Sequence, residues 1–373
     1  MKVIISAGGT GGHIYPALAI INKIKEEDKN SEIIYVGTHN RMEKDIVPKT
    51  GIKYVGLEIY GFSKTHIMRD FKNIYLIEKA KKECLKLMED FKPDIVIGAG
   101  GYVTYPVITA AIKKKIKTFI HEQNSIPGKC NRWLSKKTNL VGISFKNSKA
   151  YFEGAKKVVY TGNPCGDGAL KAPIISKESF GLKEDKRLIL VVAGSLGSAS
   201  LNEKMKAFLK LTSKEDYQVL YVTGKGYYEE FTSSSLFPNN VKVVPYIENL
   251  AGIIKNCDLI ITRAGATTLS EILALKKPSI IIPSPYVANN HQYYNALDLV
   301  NLHVATLIEE KNLNAEALQV AVNELMHDNK KYQEYINNLN NLNLEKSSDI
   351  IYKEIKELIN EWVWKSNWKC WFN

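Results

Sequence analysis

The chain runs twice from a short apolar stretch into a glycine-rich turn and then into a helix-like stretch. KVIISAGGTGG occupies residues 2–12, and RLILVVAGSLGS occupies residues 187–198. Continuous apolar runs of four or five residues between helical patterns are typical of buried parallel strands. The sequence therefore predicts an α/β protein with two doubly wound parallel-sheet domains that face a cleft, with ligands at the carboxyl ends of the strands.

Similar runs predict the rest of both sheets. The predicted strands lie at residues 3–6, 33–36, 95–97, 118–120 and 158–160 in the first half, and at 188–192, 218–223, 241–245, 259–262 and 279–282 in the second. The predicted helices of the first half lie at 17–29, 70–90 and 105–114. We expect domains at 1–163 and 164–348, joined by a proline-containing linker at 162–179, and a helix at about 349–362 that packs back on the first domain. Residues 361–373 hold four of the five tryptophans and match no secondary-structure period.

Composition limits the class of protein. A chain of 373 residues favours two domains, because a domain averages about 150 residues. The 45% of hydrophobic and 24% of charged residues are ordinary for a globular protein. No apolar stretch reaches the ~18 residues of a transmembrane helix, and the start lacks the features of a signal peptide, so we expect a cytoplasmic location. The five cysteines are far apart, so neither a disulfide framework nor a zinc site is expected.

Positive charge is concentrated in the first half of the chain. Residues 1–165 carry 28 lysines and arginines against 15 acidic residues, whereas residues 166–373 carry 23 against 24. A basic half can attract an anionic membrane surface, a phosphorylated ligand or nucleic acid. Codon usage that inflates lysine is the alternative explanation, but it does not account for the asymmetry.

Three glycine-rich turns follow predicted strands, at residues 8–13, 98–102 and 193–198. Glycines let the backbone approach a ligand closely, and the amides of the following helix then meet an anion. Tight turns without a ligand are the alternative. A dinucleotide site is disfavoured, because Ile14 occupies the third glycine position of the fingerprint and no acidic residue ends the second strand. A P-loop motif is absent from the sequence.

The segment RAGATTLSE, residues 263–271, follows another predicted strand. Gly265 and the small residues after it open a helix N-terminus that suits a diphosphate, and Glu271 lies within reach of ribose hydroxyls. Thr268 and Glu271 equally fit a capping box, in which Glu271 only satisfies backbone amides. The polar loop at 284–296 also follows a strand, where loops commonly carry ligand contacts, although it could be an ordinary helix start.

Seven motifs occur in a fixed order along the chain: GGTGGHIYPALAI, GAGGYVTYPVITAA, HEQNSIPGKCN, TGNP, AGSLGS, RAGATTLSEI and HQYYNA. Together they resemble glycosyltransferase family 28, the MurG family of bacterial N-acetylglucosaminyltransferases, over about residues 1–360. The resemblance implies a GT-B fold of two Rossmann-like domains. The first domain would bind the acceptor and associate with the membrane, and the second would bind UDP-GlcNAc.

The resemblance also implies roles for individual residues. His13 is the candidate general base, with orientation of the turn as its alternative role, and Glu122 is a competing base. The implied substrate-binding residues are Thr10, Gly11 and Gly12 at the donor sugar and acceptor diphosphate, Tyr102 in the second glycine turn, Asn124 at the donor sugar, Ser195 at the donor diphosphate, Ile247 at uracil, Ala266, Thr267, Thr268, Leu269, Ser270 and Glu271 at the diphosphate and ribose, and Gln292 at the sugar. The family commonly has an arginine two residues after TGNP, where this chain has Gly166. Gly166 and Arg263 still count among the implied substrate-binding residues, and Lys171 or Arg263 would then have to supply the cation.

The implied reaction is inverting transfer of GlcNAc from UDP-GlcNAc to the 4-hydroxyl of undecaprenyl-diphospho-MurNAc-pentapeptide (lipid I), giving lipid II and UDP. No cofactor or metal is expected, since helix N-termini can stabilise the departing UDP. The alternatives are a GT-B transferase with another lipid acceptor such as diacylglycerol, a nicotinamide-dependent oxidoreductase, and a nucleic-acid-binding protein. The broken fingerprint disfavours the oxidoreductase, and the lack of an aromatic-interleaved basic motif disfavours nucleic acid as a partner.

The implied lipid acceptor predicts reversible attachment to the anionic inner face of the cell membrane. Residues 61–77 mix apolar side chains with Lys64, Arg69 and Lys72, and residues 113–117 add four lysines. The alternative is that residues 67–77 pack in the core and the lysines are merely solvated. The tryptophan-rich tail would be an extra interfacial anchor or a disordered extension. Other proteins of cell-wall synthesis, and through them cell shape and division, complete the expected partners.

Overall fold

The computed structural model describes residues 1–62, 67–194 and 197–369, without the side chains of residues 67–71 and 361–369. The chain divides into two compact units. The first unit comprises Met1–Cys165 and Glu345–Asn373, and the second comprises Gly166–Leu344. Each unit is built around one parallel sheet.

The first unit has a seven-stranded sheet in the order β3-β2-β1-β4-β5-β6-β7, and every neighbouring pair is parallel. Its strands are β1 (Lys2–Ser6), β2 (Glu32–Thr38), β3 (Lys53–Leu57), β4 (Ile95–Gly98), β5 (Lys117–Glu122), β6 (Leu140–Ile143) and β7 (Val158–Tyr160). Its helices are α1 (Gly11–Glu27), α2 (Glu43–Ile46), α3 (Ile67–Phe91), α4 (Thr104–Lys113), α5 (Lys129–Ser135) and the C-terminal α14 (Ser347–Lys369).

The second unit has a six-stranded sheet in the order β10-β9-β8-β11-β12-β13, also parallel throughout. Its strands are β8 (Leu188–Val192), β9 (Gln218–Val222), β10 (Val241–Val244), β11 (Leu259–Thr262), β12 (Ser279–Ile281) and β13 (Ala305–Leu307). Its helices are α7 (Ala199–Leu211), α8 (Tyr228–Ser233), α9 (Leu250–Asn256), α10 (Ala266–Ala274), α11 (His291–Asn301), α12 (Ala315–Met326) and α13 (Asn329–Asn341), and α6 (Cys165–Lys171) begins at the unit boundary.

Burial explains the apolar runs in the sequence. All residues of β4 and β8 are buried, because helices cover both faces of each sheet. Helix α1 buries one stripe toward the sheet, and its buried residues recur at the spacing of a helix face. These residues are Ile14, Pro16, Ala17, Ile20, Ile21 and Ile24. The helix begins at Gly11, six residues before the predicted start, and it contains Pro16 in its second turn, where the carbonyl of Gly12 loses its usual amide donor.

The prediction of two parallel-sheet α/β domains is confirmed, but three strands were missed. The first, β3, lies at the sheet edge and is only partly buried, so it lacks a continuous apolar run. The second, β6, is interrupted by Gly142, which breaks its apolar run in the sequence. Glycine stands there because a Cβ atom would lie 2.9 Å from the Phe119 ring. The third, β13, has only three residues at the other sheet edge.

Helix α14 belongs to the first unit although it ends the chain. Ile351 and Ile355 lie in the same hydrophobic core as α1 and β1. Lys23 of α1 pairs with Asp349, and Lys157 pairs with Glu354 at 2.5 Å. The helix continues to Lys369, so most of the tail that the sequence assigned to no regular element is helical. Within the described residues, no helix combines the length and the apolar character needed to cross a membrane.

Candidate active site

The first glycine turn joins β1 to α1 and leaves the start of the helix open. Gly9 adopts φ +93°, which favours glycine because it has no Cβ atom. Thr10 is the extended N-cap residue, and its side chain makes no capping hydrogen bond. The first amides of α1, including those of Gly11 and Gly12, therefore stay available to an anion at the positive end of the helix dipole.

His13 lies in the first turn of α1 with a fixed orientation. Its Nδ1 atom is 3.1 Å from the carbonyl oxygen of Gly8. Because that oxygen only accepts, Nδ1 carries the proton and Nε2 is left as the basic nitrogen. Burial lowers the pKa of His13, so the ring is neutral at pH 7. A neutral imidazole with a free Nε2 can take a proton from a hydroxyl group.

The second glycine turn, after β4, packs directly against the first. The amide of Gly8 donates to the carbonyl of Gly100 at 3.2 Å. A Cβ atom on Gly100 would lie 2.5 Å from Cδ2 of His13, and one on Gly101 would lie 2.3 Å from the Gly8 oxygen. Both residues have positive φ, so glycine serves here for close approach as well as conformation. The next residue, Tyr102, buries a hydroxyl that has no partner among the described residues.

Glu122 ends β5 and holds the loop that follows. Its buried carboxylate accepts from the amides of Asn124 at 3.0 Å and Gly128 at 3.2 Å, and from Nδ2 of Asn131 at 2.9 Å. Burial raises the pKa of Glu122, and these hydrogen bonds oppose the rise. A carboxylate occupied by these donors holds the loop that carries Asn124 in place.

His121 is buried beside Glu122 and is neutral. Its Nε2 lies 3.0 Å from the carbonyl oxygen of Gly162, so Nε2 donates, and Nδ1 accepts from Gln123 at 3.0 Å. Burial lowers the pKa of His121 to about 4. Both ring nitrogens are occupied by the protein, which gives His121 a structural role that the sequence did not assign.

In the second unit, α10 begins one turn earlier than a capping box requires. Gly265 is the N-cap residue, without a side-chain capping bond, so Thr268 lies inside the helix. The capping-box interpretation of Thr268 and Glu271 is therefore wrong. The Oγ1 atom of Thr267 is buried and has no partner among the described residues. The helix N-terminus, with Ala266, Leu269 and Ser270 in its first turns, is free to receive an anion.

Glu271 follows within the same helix. Its carboxylate forms no hydrogen bond or ion pair with the part of the chain that the structure describes. Burial alone raises its pKa to about 7. An unpartnered carboxylate near the start of an open helix has both acceptor oxygens available for vicinal hydroxyls.

Arg263 is paired inside the second unit. Its Nη2 donates to Oγ of Ser198 at 2.8 Å, and its Nη1 donates to the carbonyl of Ile282 at 3.2 Å. Nη1 also lies 2.6 Å from Oε2 of Glu310, and both side chains are buried. The sequence did not reveal Glu310, which is distant along the chain. The charge of Arg263 is thus already neutralised by Glu310.

Gly166 packs α6 tightly against α10. A Cβ atom there would lie 2.8 Å from the carbonyl oxygen of Ser270 and 3.2 Å from Cβ of Ala274. A larger residue would require the two helices to shift. Lys171 lies at the end of the same short helix.

Three predicted site residues remain, and the structure describes two of them, Gln292 and Ile247, in the second unit. Gln292 lies near the start of α11 and accepts from the amide of Ser284 at 2.9 Å, which fixes the loop after β12. Ile247 is buried just after β10. Ser195, in the third glycine turn, lies outside the described residues.

Two units, each built on one parallel sheet with helices between its strands, have the architecture of the GT-B fold. Residues 3–143 match the glycosyltransferase family 28 N-terminal domain, and residues 188–353 match its C-terminal domain. The chain belongs to glycosyltransferase family 28, and it is a glycosyltransferase. The resemblance in the sequence motifs is confirmed.

Curated relatives match over nearly the whole chain. The UDP-N-acetylglucosamine--N-acetylmuramyl-(pentapeptide) pyrophosphoryl-undecaprenol N-acetylglucosamine transferase of Bacillus licheniformis is 41% identical over 96% of this chain and 99% of its own. The protein of the same name from Clostridioides difficile is 42% identical over 96% of this chain and 90% of its own. The crystal structure of Acinetobacter baumannii MurG matches with a TM-score of 0.76 and 27% identity, covering 95% of this chain and 99% of that one.

Proposed function

We propose that the protein transfers GlcNAc from UDP-GlcNAc to the 4-hydroxyl of lipid I, with inversion, to give lipid II and UDP. The observation that carries the proposal is the near-complete match to relatives named for this reaction, 41% and 42% identical over 96% of the chain. The alternative lipid acceptor, diacylglycerol, has no comparable support.

The first unit would activate the acceptor. An alcohol is a poor nucleophile until its proton is removed as the new bond forms. His13 suits that step because its neutral ring holds Nδ1–H on Gly8 and leaves Nε2 free. The open start of α1, after Thr10, suits the acceptor diphosphate.

The second unit would bind the donor. The uncapped N-terminus of α10 and the buried hydroxyl of Thr267 suit the diphosphate, whose negative charge grows as UDP departs. The unpartnered carboxylate of Glu271 suits the ribose hydroxyls. Ile247 and Gln292 would meet the uracil and the sugar. Because Arg263 is paired with Glu310, donor affinity would rest on helix amides more than on a free arginine.

The protein would work at the inner surface of the cell membrane, where its lipid acceptor lies. Phe62, Ile74 and Tyr75 expose 64%, 54% and 70% of their surfaces on the basic first unit. Trp133 is also exposed, and Nζ of Lys137 lies 4.8 Å from its ring centroid. Apolar and aromatic side chains beside cations are suited to an anionic lipid surface. Through its product, the reaction would serve peptidoglycan synthesis and so cell shape and division.

An acceptor assay tests the proposal. The purified full-length chain receives radiolabelled UDP-GlcNAc with a lipid I analogue or with diacylglycerol in the same detergent. We expect label in the muramoyl lipid only. If label appears only in diacylglycerol, the acceptor is diacylglycerol and the proposed acceptor is wrong. Thermal-shift measurements with UDP-GlcNAc, NADH and an oligonucleotide in parallel serve as a binding control, and stabilisation only by NADH or by the oligonucleotide would reject the proposal.

A further inference from the structure

Glu43 is a buried carboxylate beneath the first glycine turn. It begins the short helix α2, and its side chain has no exposed surface. Two glycines leave room for it. A Cβ atom on Gly8 would lie 2.5 Å from Oε1 of Glu43, and one on Gly37 would lie 2.7 Å from its Cγ. Neighbouring segments of the unit are thus shaped around this one carboxylate.

Both oxygens of Glu43 are used, and each meets a different part of the chain. Oε2 accepts from the amide of Gly9 at 3.1 Å. Oε1 accepts from the amide of Thr38 at 3.0 Å and from its hydroxyl at 2.6 Å. No lysine or arginine among the described residues pairs with it. A buried carboxylate without a cation is expensive unless hydrogen bonds replace its water, as they do here.

The turn that Glu43 holds is the turn that orients His13. The carbonyl of Gly8 accepts from Nδ1 of His13 at 3.1 Å, and the next amide, that of Gly9, donates to Glu43. The direction of the Gly8 carbonyl therefore depends on the same short backbone segment that the carboxylate anchors.

The surroundings of His13 contain one facing charge. Its ring contacts the Gly100 backbone of the second glycine turn, and its Nδ1 lies 3.5 Å from the Thr10 hydroxyl, both neutral. Among the described charged groups, Glu43 of α2 is the one that acts on the ring, and it raises the pKa of His13 against the larger effect of burial.

We propose that Glu43 is a positioning residue for the transfer reaction: it fixes the Gly8–Gly9 turn so that His13 keeps Nδ1–H on Gly8 and presents Nε2 to the acceptor hydroxyl. The inference rests on the proposed function and deepens it. Glu43 lies between β2 and β3, outside the glycine-rich motifs, and the sequence around it does not mark it as a partner of the turn.

Glu43→Gln tests the proposal. A carboxamide has one acceptor oxygen, so it can serve the amide of Gly9 or that of Thr38 but not both. We expect kcat to fall about tenfold or more, with the KM for UDP-GlcNAc changed less than about threefold. The acidic limb of the kcat profile should move to lower pH, because the variant removes the charge that raises the pKa of His13.

Thr38→Val is the matched control. It removes only the hydroxyl donor to Oε1 and leaves both backbone amides with their acceptors. We expect it to lower the melting temperature by about as much as Glu43→Gln does. We expect its loss of kcat to be smaller than that of Glu43→Gln by a factor of about five or more. If Glu43→Gln does not fold, Glu43→Asp, whose shorter side chain cannot reach both amides, provides the same comparison. Equal kcat losses in Thr38→Val and the Glu43 variant would reduce Glu43 to a purely structural role.

NMR of the ¹⁵N-histidine-labelled protein separates this inference from the proposed function, since it needs no substrate. His13 is assigned by the signal lost in His13→Gln. We expect the Nδ1–H tautomer in the unsubstituted protein, and a lower titration midpoint with mixed tautomers in Glu43→Gln. An unchanged tautomer and midpoint would overturn the role of Glu43 even if transfer occurs. Failure of transfer with the expected NMR changes would reject the proposed function alone.

Discussion

The guanidinium of Arg263 lies 2.6 Å from the carboxylate of Glu310 in the interior of the second unit. The same guanidinium donates to Ser198, the N-cap residue of α7 after the third glycine turn. The end of β11, the third glycine turn and the segment after β13 are therefore joined through one side chain. This connection gives Arg263 a structural role inside the second unit.

Loss of Glu310 should be strongly destabilising. In Glu310→Leu the buried charge of Arg263 loses its partner, and removal of one partner of a buried pair typically costs about 3–5 kcal/mol. We expect urea unfolding of this unit at a clearly lower midpoint. The double variant Arg263→Met/Glu310→Leu should recover part of that loss, because no unpaired charge remains. A double variant less stable than Glu310→Leu would show that the charge pair is not the source of the effect.

His13→Ala should reduce kcat far more than it weakens donor binding. Loss of a general base typically lowers the rate 10²–10⁴-fold, roughly 3–5 kcal/mol of transition-state stabilisation. Steady-state kinetics with UDP-GlcNAc and a lipid I analogue provide the measurement, and Glu122→Gln is the comparison. If kcat falls less than about tenfold in His13→Ala and falls more in Glu122→Gln, Glu122 rather than His13 is the general base.

Donor affinity should depend on pH through Glu271. Burial raises its pKa to about 7, so the carboxylate ionises between pH 6 and 8. Only the ionised form has both oxygens as acceptors, and the KM for UDP-GlcNAc should fall as pH rises through 7. Glu271→Gln should raise this KM at pH 8 and remove that pH dependence. A variant that loses only stability would leave no role for Glu271 at the ribose.

The same pKa also predicts a stability effect of definite sign. The folded protein keeps a proton on Glu271 up to about pH 7, whereas the unfolded chain releases it near the ordinary value of 4.5. The contribution of Glu271 to the free energy of unfolding therefore becomes unfavourable as pH rises from 4.5 to 7, and it is constant above that range. Melting temperatures measured at pH 5 and pH 8 test this effect. We expect the melting temperature of Glu271→Gln, relative to that of the unsubstituted protein, to be higher at pH 8 than at pH 5.

Membrane attachment should require both the apolar and the basic side chains of the first unit. Tyr75→Glu places a charge at a position that is 70% exposed, so the fold should tolerate it while binding to anionic vesicles weakens. Co-sedimentation at low and high salt gives the measurement, and Leu236→Glu in the second unit is the matched control at an exposed position. Vesicle binding that does not change with lipid charge or salt concentration would contradict an electrostatic contribution to membrane attachment. If vesicle binding is lost only when residues 361–373 are deleted, the tail is the membrane anchor.

Local patterns predicted ten of the thirteen strands and the glycine turns, because apolar runs and glycines act within a few residues. The helix start at Ala266 was harder, since a Thr-x-x-Glu spacing also occurs inside a helix once Gly265 has become the N-cap residue. The partners of Arg263 and of Gly9 were beyond reach for another reason. Glu310 and Glu43 approach them only after the chain has folded, and nothing in their neighbouring sequence marks them as partners.

The product of the reaction gives the most direct test. The purified full-length protein is incubated with UDP-GlcNAc and a short-chain lipid I analogue, and the product is analysed by mass spectrometry and NMR. We expect addition of one GlcNAc, β-linked to the muramoyl 4-hydroxyl, with release of one UDP, and poor turnover when UDP-glucose replaces UDP-GlcNAc. Absence of transfer, an α linkage, or equal turnover of the two donors would contradict the proposed inverting N-acetylglucosaminyl transfer.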